Sequence, residues 1–193
     1  RLTTGASVAL VSDAGTPTVS DPGEQLIRLA IEAGVRVEPV PGPSAVLAIL
    51  AASGLPSETF TFLGFPPIKS SARKAWFDGL AGEPRTVIFF ESPHRIRATL
   101  EQIATYFGDC HIVVGRELTK LHEEIARGPV SMALAQFAEP AGEFCVAINL
   151  AIQQKNCPVG PVSDADILRA CQTARQTGAL SKRKSIQDVA RKL

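Results

Sequence analysis

The chain has 193 residues, 45% of them hydrophobic and 20% charged, with a formal net charge of +1, a composition ordinary for a globular protein and long enough to bury its own core. Its apolar runs, such as Ala45 to Ala52, fall far short of the roughly 20 residues of a membrane span, and its amino terminus has no signal-peptide pattern, so a soluble, cytoplasmic protein is expected. Cys110, Cys145, Cys157 and Cys171 form no CxxC pair and have no suitably spaced histidine, which points to a reduced setting without a metal site.

Ser7 to Val11 (SVALV) is a short β-branched run that reads as a buried strand entering a loop. Asp21-Pro22-Gly23-Glu24 reads as a helix start, with Asp21 as cap, Pro22 in the first turn and Glu24 as a capping-box acid. Leu26, Ile27, Ala30 and Ile31 follow at helical spacing, and Gly34 ends that helix. Val35 to Val40 reads as a second strand, which Pro41 to Ser44 turns into an apolar helix ending near Gly54.

The pattern restarts with a strand at Thr59 to Gly64, a Phe65-Pro66-Pro67 break and a helix around Ser70 to Leu80. Thr86 to Glu91 is a strand leading through Ser92-Pro93 into a helix that ends at Gly108. HIVVGRE and EEIARG are read as strands, Pro129 opens a short helix to about Phe137, and Phe144 to Ile152 is the last strand. These elements predict an α/β fold with a first α/β unit at 1–55 and a second at 56–152. A linker at 153–162 then leads to a helical extension at 163–193. From Lys155 onward there are eight Lys or Arg against three Asp, so the tail is basic although the whole chain is near neutral.

A strand, a loop rich in small residues and a helix start, as in VSDAGTPTVSDPG at Val11 to Gly23, can present backbone N–H groups and a positive dipole end to a polar ligand. The loop matches neither GxGxxG nor GxxxxGK[ST], so neither a dinucleotide nor a nucleoside triphosphate is its natural ligand. Local chemistry alone leaves a ligand loop and a long capped connection as equal readings. PGPSA at Pro41 to Ala45 is a second loop of this kind, which on its own reads as a turn.

Taken in order, VSDAGTPTVSDPG, PGPSA, ASGLPSETFTFLGFPP, FFESPHRI and GRELTKLHEE resemble the bacterial 16S ribosomal RNA cytidine 2′-O-methyltransferases of the tetrapyrrole methylase superfamily, from about Ser7 to Ile152. The resemblance implies two α/β domains with S-adenosylmethionine folded into the cleft between them. Carried over by motif, Asp13, Ala14, Gly15 and Thr18 would line the cofactor from the first loop, and Ser44 and Ala45 from the second. Glu91 and Leu118 would complete the wall, with a helix-capping acid as the other reading of Glu91 and an Asx-turn as that of Asp13.

The resemblance also implies partners: 16S ribosomal RNA in the small ribosomal subunit and, from the superfamily's habits, a second copy of the chain in a homodimer. Methyl transfer to a ribose hydroxyl needs alignment and proton removal. Glu117 and Lys120, in the charged RELTKLHEE segment, are the candidates for that role against the alternative of a solvated loop. Arg73, Lys74, His94 and Arg95 are candidate phosphate contacts, and Lys182, Arg183 and Lys184 extend them into the basic tail. Each has an ordinary surface charge as its competing reading.

The family pattern has a further amino-terminal portion, including a TPIGNL-like cofactor loop, that nothing in this chain matches. The expectation is a truncated first domain that binds cofactor poorly. The competing assignments are a corrinoid or porphyrin precursor methylase, which would carry a GGDP-like loop in place of SDAGTP, and a non-catalytic RNA-binding module.

Overall fold

The computed structural model describes residues 2–152, together with Ala165, Leu168, Arg169 and Gln172. The chain divides into a compact unit at Arg1–Gln154 and a second at Lys155–Leu193. In the second, the four described residues are helical and exposed. The expected linker and the Lys182 to Lys184 cluster lie outside the described residues.

Within the first unit the elements run α1 (Glu24–Glu32), α2 (Ala45–Ser53), β1 (Phe60–Phe62), α3 (Ser70–Ala81), β2 (Thr86–Glu91), α4 (Pro93–Phe107), β3 (His111–Arg116), β4 (Glu124–Pro129), α5 (Val130–Gln136) and β5 (Phe144–Ile148). The sheet order is β1-β2-β5-β3-β4. β1 and β2 pair in parallel across α3, and the other three pairings are antiparallel.

β5 inserts between β2 and β3 because it is apolar on both faces. All five of its residues are buried, as suits a central strand. Alternation along the strands sorts the core into two layers. Val87, Phe89, Ile112, Val114, Val146 and Ile148 point to one side, where α3, α4 and α5 supply Phe77, Leu80, Ile96, Leu100, Ile103 and Val130, joined by Phe137 just after α5. Ile88, Val113, Cys145 and Ala147 point to the other and meet Val46, Ile49 and Leu50 of α2.

The two amino-terminal strands expected from sequence do not form. Neither 7–11 nor 35–40 is in a ladder, and most of their apolar side chains stand in solvent, Val11 at 80% and Val40 at 90% exposure, with Leu10 and Val35 half-buried. β-Propensity describes how a residue fits a paired, half-buried surface, and among the described residues no strand lies alongside these segments. The helix α1 shows the same condition, with Ala30 buried while Leu26, Leu29 and Ile31 are exposed.

The expected cap at Asp21 is also corrected. α1 begins at Glu24, and Gly23 precedes it at φ 134° without a side-chain cap. A Cβ on Gly23 would come within 2.8 Å of the Leu10 side chain, so this close passage requires glycine and breaks the helical backbone after Asp21 and Pro22. Ser92 likewise precedes α4 without a side-chain cap hydrogen bond, with Pro93 in the first turn, whereas the signals that bound α2 act as read. Ser44 accepts the Leu47 N–H at the start of α2, and Gly54 closes that helix at φ 72°. The last strand stops at Ile148 because the Asn149 Oδ1 accepts the N–H groups of Ala151 and Ile152, turning the chain.

Candidate functional site

A cavity of about 770 Å³ opens where β2 and β3 end and β5 begins, an edge defined by the register that places Phe144 opposite both Glu91 and Arg116. The first loop lines it with Asp13, Ala14, Gly15, Thr16 and Asp21, and the second with Pro43, Ser44 and Ala45. Phe90, Glu91, Ser92 and Pro93 form the β2 side, Leu118, Thr119 and Lys120 the β3 side, and Glu143, Phe144 and Cys145 the floor of β5. Its size is that of a small-molecule site.

Of the residues expected to line a cofactor, Asp13, Ala14, Gly15, Ser44, Ala45, Glu91 and Leu118 are brought together here. Thr18 is not. It lies in a separate shallow groove with Glu24, Ile27 and Arg28, with its backbone in the left-handed region at φ 71°. The Ser12 hydroxyl, 3.2 Å from the Ala14 carbonyl and 3.3 Å from that of Gly15, shapes the loop. The Asp13 carboxylate has no hydrogen bond or ion pair among the described residues, so the Asx-turn considered for it does not form, and the Ser12 hydroxyl, donating to the two carbonyls, takes the local contacts. Thr16 reaches the Pro43 carbonyl at 3.4 Å and ties the two loops together.

Backbone strain is concentrated in two segments that line the cavity, the first loop and the β3–β4 connection. Among the described residues, every non-glycine residue with positive φ is in one of them: Thr18, Ser20, Glu117 and Thr119. Such conformations persist where surrounding contacts hold them, and they cluster at functional sites. In the second wall, Glu117 Oε1 accepts from the Glu143 N–H at 2.8 Å and from Lys120 Nζ at 3.0 Å, while Lys120 also reaches Glu143 Oε2 at 2.9 Å. The Glu143 N–H and then the Lys120 ammonium hold the Glu117 carboxyl below its usual range, and Glu143 first, with Glu117, raises Lys120 above its own. Glu117 is thus an ionised anchor beside the cavity, and Lys120, on the lining, is a held cation. Leu118 folds back on β3, where a Cβ on Gly115 would meet it at 2.7 Å.

Glu91 is 1% exposed and internally satisfied. Its Oε1 accepts from the Ser92 N–H at 2.9 Å and Arg95 Nε at 2.7 Å, and its Oε2 from Thr99 Oγ1 at 2.7 Å, with Arg73 Nη1 at 4.0 Å. Arg73 gives its other donors to Thr99, Gln102 and the Pro67 carbonyl, and Arg95 reaches the Pro66 carbonyl. Both arginines, expected at a phosphate-contacting surface, are therefore committed to the interior. A buried carboxylate requires compensating donors, and these two supply them. Lys74 is exposed and pairs with Asp78 at 2.8 Å, and His94 is exposed in the first turn of α4. Sequence reading missed Phe65, Phe90 and Cys145 of the lining, since apolar residues at strand ends carry no local sign of a site. Burial raises the Cys145 thiol to about 12.

Among the described residues no cluster of His, Cys, Asp or Glu could hold a metal ion, and no helix is long and apolar enough to cross a membrane. The sheet and cavity define an α/β domain with a small-molecule-sized cavity at its strand ends. The family model for tetrapyrrole (corrin/porphyrin) methylases matches residues 1–133, and the chain belongs to that family.

The chain is 51% identical over 159 residues to the ribosomal RNA small subunit methyltransferase I of Xylella fastidiosa (strain Temecula1), covering 80% of this chain and 58% of that protein. It is 46% identical over 151 residues to the protein of that name from Synechocystis (strain PCC 6803), covering 77% and 54%, and 40% identical over 187 residues to that of Escherichia coli O157:H7, covering 94% and 65%. It spans between half and two thirds of the length of these relatives. Among solved structures, the methyltransferase CobJ shares the fold at a TM-score of 0.51 and 19% identity, over 74% of this chain and 64% of that one.

Proposed function

We propose that the protein of which this chain is part transfers a methyl group from S-adenosylmethionine to a cytidine ribose 2′-hydroxyl of 16S ribosomal RNA, acting in the cytoplasm on the small ribosomal subunit. The observation that carries this reading is the convergence of SDAGTP, PGPSA, the end of FFES and the LTK segment on one cavity. The relatives at 40–51% identity bear ribosomal RNA methyltransferase names, which favours RNA over a tetrapyrrole substrate.

The lining suits the cofactor chemically. The unpaired Asp13 carboxylate complements a cationic ligand, and Ala45, Val46, Phe90 and Leu118 offer apolar surface for a purine. Ala14, Gly15 and Ser44 stand beside them, and Glu91 supports the wall from behind through Ser92 and Arg95. When bound, S-adenosylmethionine would supply an electrophilic methyl group on a sulfonium. Lys120 sets a positive charge on the lining, and Glu117 acts by positioning it. His94, Lys74 and the Lys182, Arg183 and Lys184 cluster are assigned to RNA phosphate contacts, and a homodimer belongs to the same reading.

The test is mass-spectrometric mapping of 2′-O-methylcytidine in small-subunit RNA from cells with and without the full-length gene. Loss of one such mark on deletion is expected, with recovery on complementation. An unchanged set of marks would overturn the reading. Replacing Lys182 to Lys184 by Ala in the full-length protein should flatten the salt dependence of RNA binding, since each phosphate contact contributes its own slope.

A further inference from the structure

We propose that Phe65 is a stacking platform for an unstacked nucleobase of the RNA substrate, with Lys69 in the same loop meeting an adjacent phosphate; this rests on the RNA-methyltransferase reading above. Phe65 lines the cavity and is 50% exposed as a residue. The ring is fixed, with its centroid 5.7 Å from that of Phe90 in an edge-to-face contact, and Phe90 stands in the same relation to Phe62 at 4.9 Å.

The loop that carries Phe65 is gripped along its length. The Gly64 carbonyl accepts the Phe90 N–H at 2.8 Å. The carbonyls of Pro66 and Pro67 accept from Arg95 Nη2 and Arg73 Nη1, both at 3.2 Å. Both guanidiniums are held in turn on buried Glu91 and Thr99. Two prolines restrict the backbone further. An aromatic surface that is open to solvent yet held this firmly loses little conformational entropy when a flat partner stacks on it.

Charge along the segment that carries the ring favours such a partner. Between Glu58 and Asp78 there is no acidic residue, while Lys69, Arg73 and Lys74 are basic. Arg73 is turned inward and Lys74 is paired, which leaves the exposed Lys69 without an ion pair among the described residues. An open ring followed by an available ammonium fits a base and its phosphate, the combination by which single-stranded nucleic acid is held.

The experiment uses the full-length protein and its F65A, F65L, F65Y and K69A variants. RNA methylation kinetics on small-subunit particles are measured with S-adenosylmethionine affinity by calorimetry and thermal unfolding as controls. F65A and F65L should raise KM for RNA between about fivefold and a hundredfold, the loss expected for one aromatic–base stack. F65Y should stay within about twofold of wild type, and in F65A and F65L any loss of cofactor affinity should be smaller than the rise in KM for RNA. K69A should reduce the salt slope of RNA binding by about 0.7, the contribution of one phosphate on a single strand.

F65L with an unaltered KM for RNA would overturn the platform, as would a fall in cofactor affinity in its place. A wild-type protein that methylates no RNA would sink the underlying reading. Binding of a single-stranded cytidine-containing oligonucleotide then decides the platform separately: equal affinity in wild type and F65L removes it, and a loss confined to the Ala and Leu variants sustains it.

Discussion

The Glu91 carboxylate and the Arg95 guanidinium meet one helical turn apart, with Oε1 2.7 Å from Nε and the acid wholly buried. The pair joins the end of β2 to the first turn of α4. Through the second donor of Arg95 it also reaches the loop that carries Phe65. Removing one partner of such a buried pair leaves the other uncompensated, which costs about 3–5 kcal/mol. E91A should lower stability by that amount in urea unfolding, with an unchanged m-value. A loss below about 1 kcal/mol would show that the acid does not anchor this corner.

Glycine at position 142 is a second test of how the cavity wall is held. Its φ is 82°, and a Cβ there would meet the Glu117 side chain at 2.7 Å. G142A is expected to cost at least about 1 kcal/mol through the left-handed backbone alone, and also to displace Glu117 from the Glu143 N–H. A stability equal to wild type would contradict the close packing of this turn.

Thr119 offers the opposite case. A β-branched residue at φ 67° carries strain that glycine would relieve, offset in part by the greater freedom of glycine in the unfolded chain. T119G should be neutral or stabilising by up to about 1 kcal/mol in thermal unfolding. T99G, which removes the hydroxyl bridging Arg73 and Glu91 from the middle of α4, should destabilise clearly. If both variants lose equal stability, the strain assigned to Thr119 is wrong.

The Glu117, Lys120 and Glu143 group predicts a pH dependence. The lowered Glu117 contributes stability above about pH 4.3, its unfolded value, and loses it as the pH falls through the lower folded one. The raised Lys120 contributes below about pH 10.4 and loses that contribution as the pH rises through its higher folded value. The Tm difference between wild type and K120A should therefore be largest between these limits and shrink toward either extreme. A difference independent of pH would refute the electrostatic account.

Cofactor binding by this chain alone is expected to be poor. The loop holding Asp13 to Gly15 follows an unpaired, exposed segment at 7–11 and is tied to the second loop by the long Thr16 contact. Ordering it on binding carries an entropic cost. Submicromolar affinity for S-adenosylmethionine in calorimetry would overturn this expectation.

Much of the fold from Phe60 to Ile148 was legible because its signals are local. TVIFFE forms β2 over the expected residues, and Ser44 and Gly54 bound α2 as their types predict. The failures share one physical cause. SVALV and VRVEPV have strand composition, but a strand exists only when a neighbour takes its hydrogen bonds. Asp21 has the residue type of a cap, but the passage of Leu10 against Gly23 moves the helix start. The side chains of Arg73 and Arg95 look like surface cations in sequence. Only the fold reveals the buried carboxylate that draws them inward.

From the sequence alone came the α/β order of elements and the resemblance carried by five motif blocks, because helix and strand periods, capping residues and motif spacing are written along the chain. Tertiary structure decided which of those motifs share a cavity. It turned Thr18 away, made Glu91 an internal anchor and left Phe65 open beside Phe90. The reason is that proximity between loops far apart in sequence, and the burial that determines whether a charge faces ligand or protein, arise only when the sheet has been assembled.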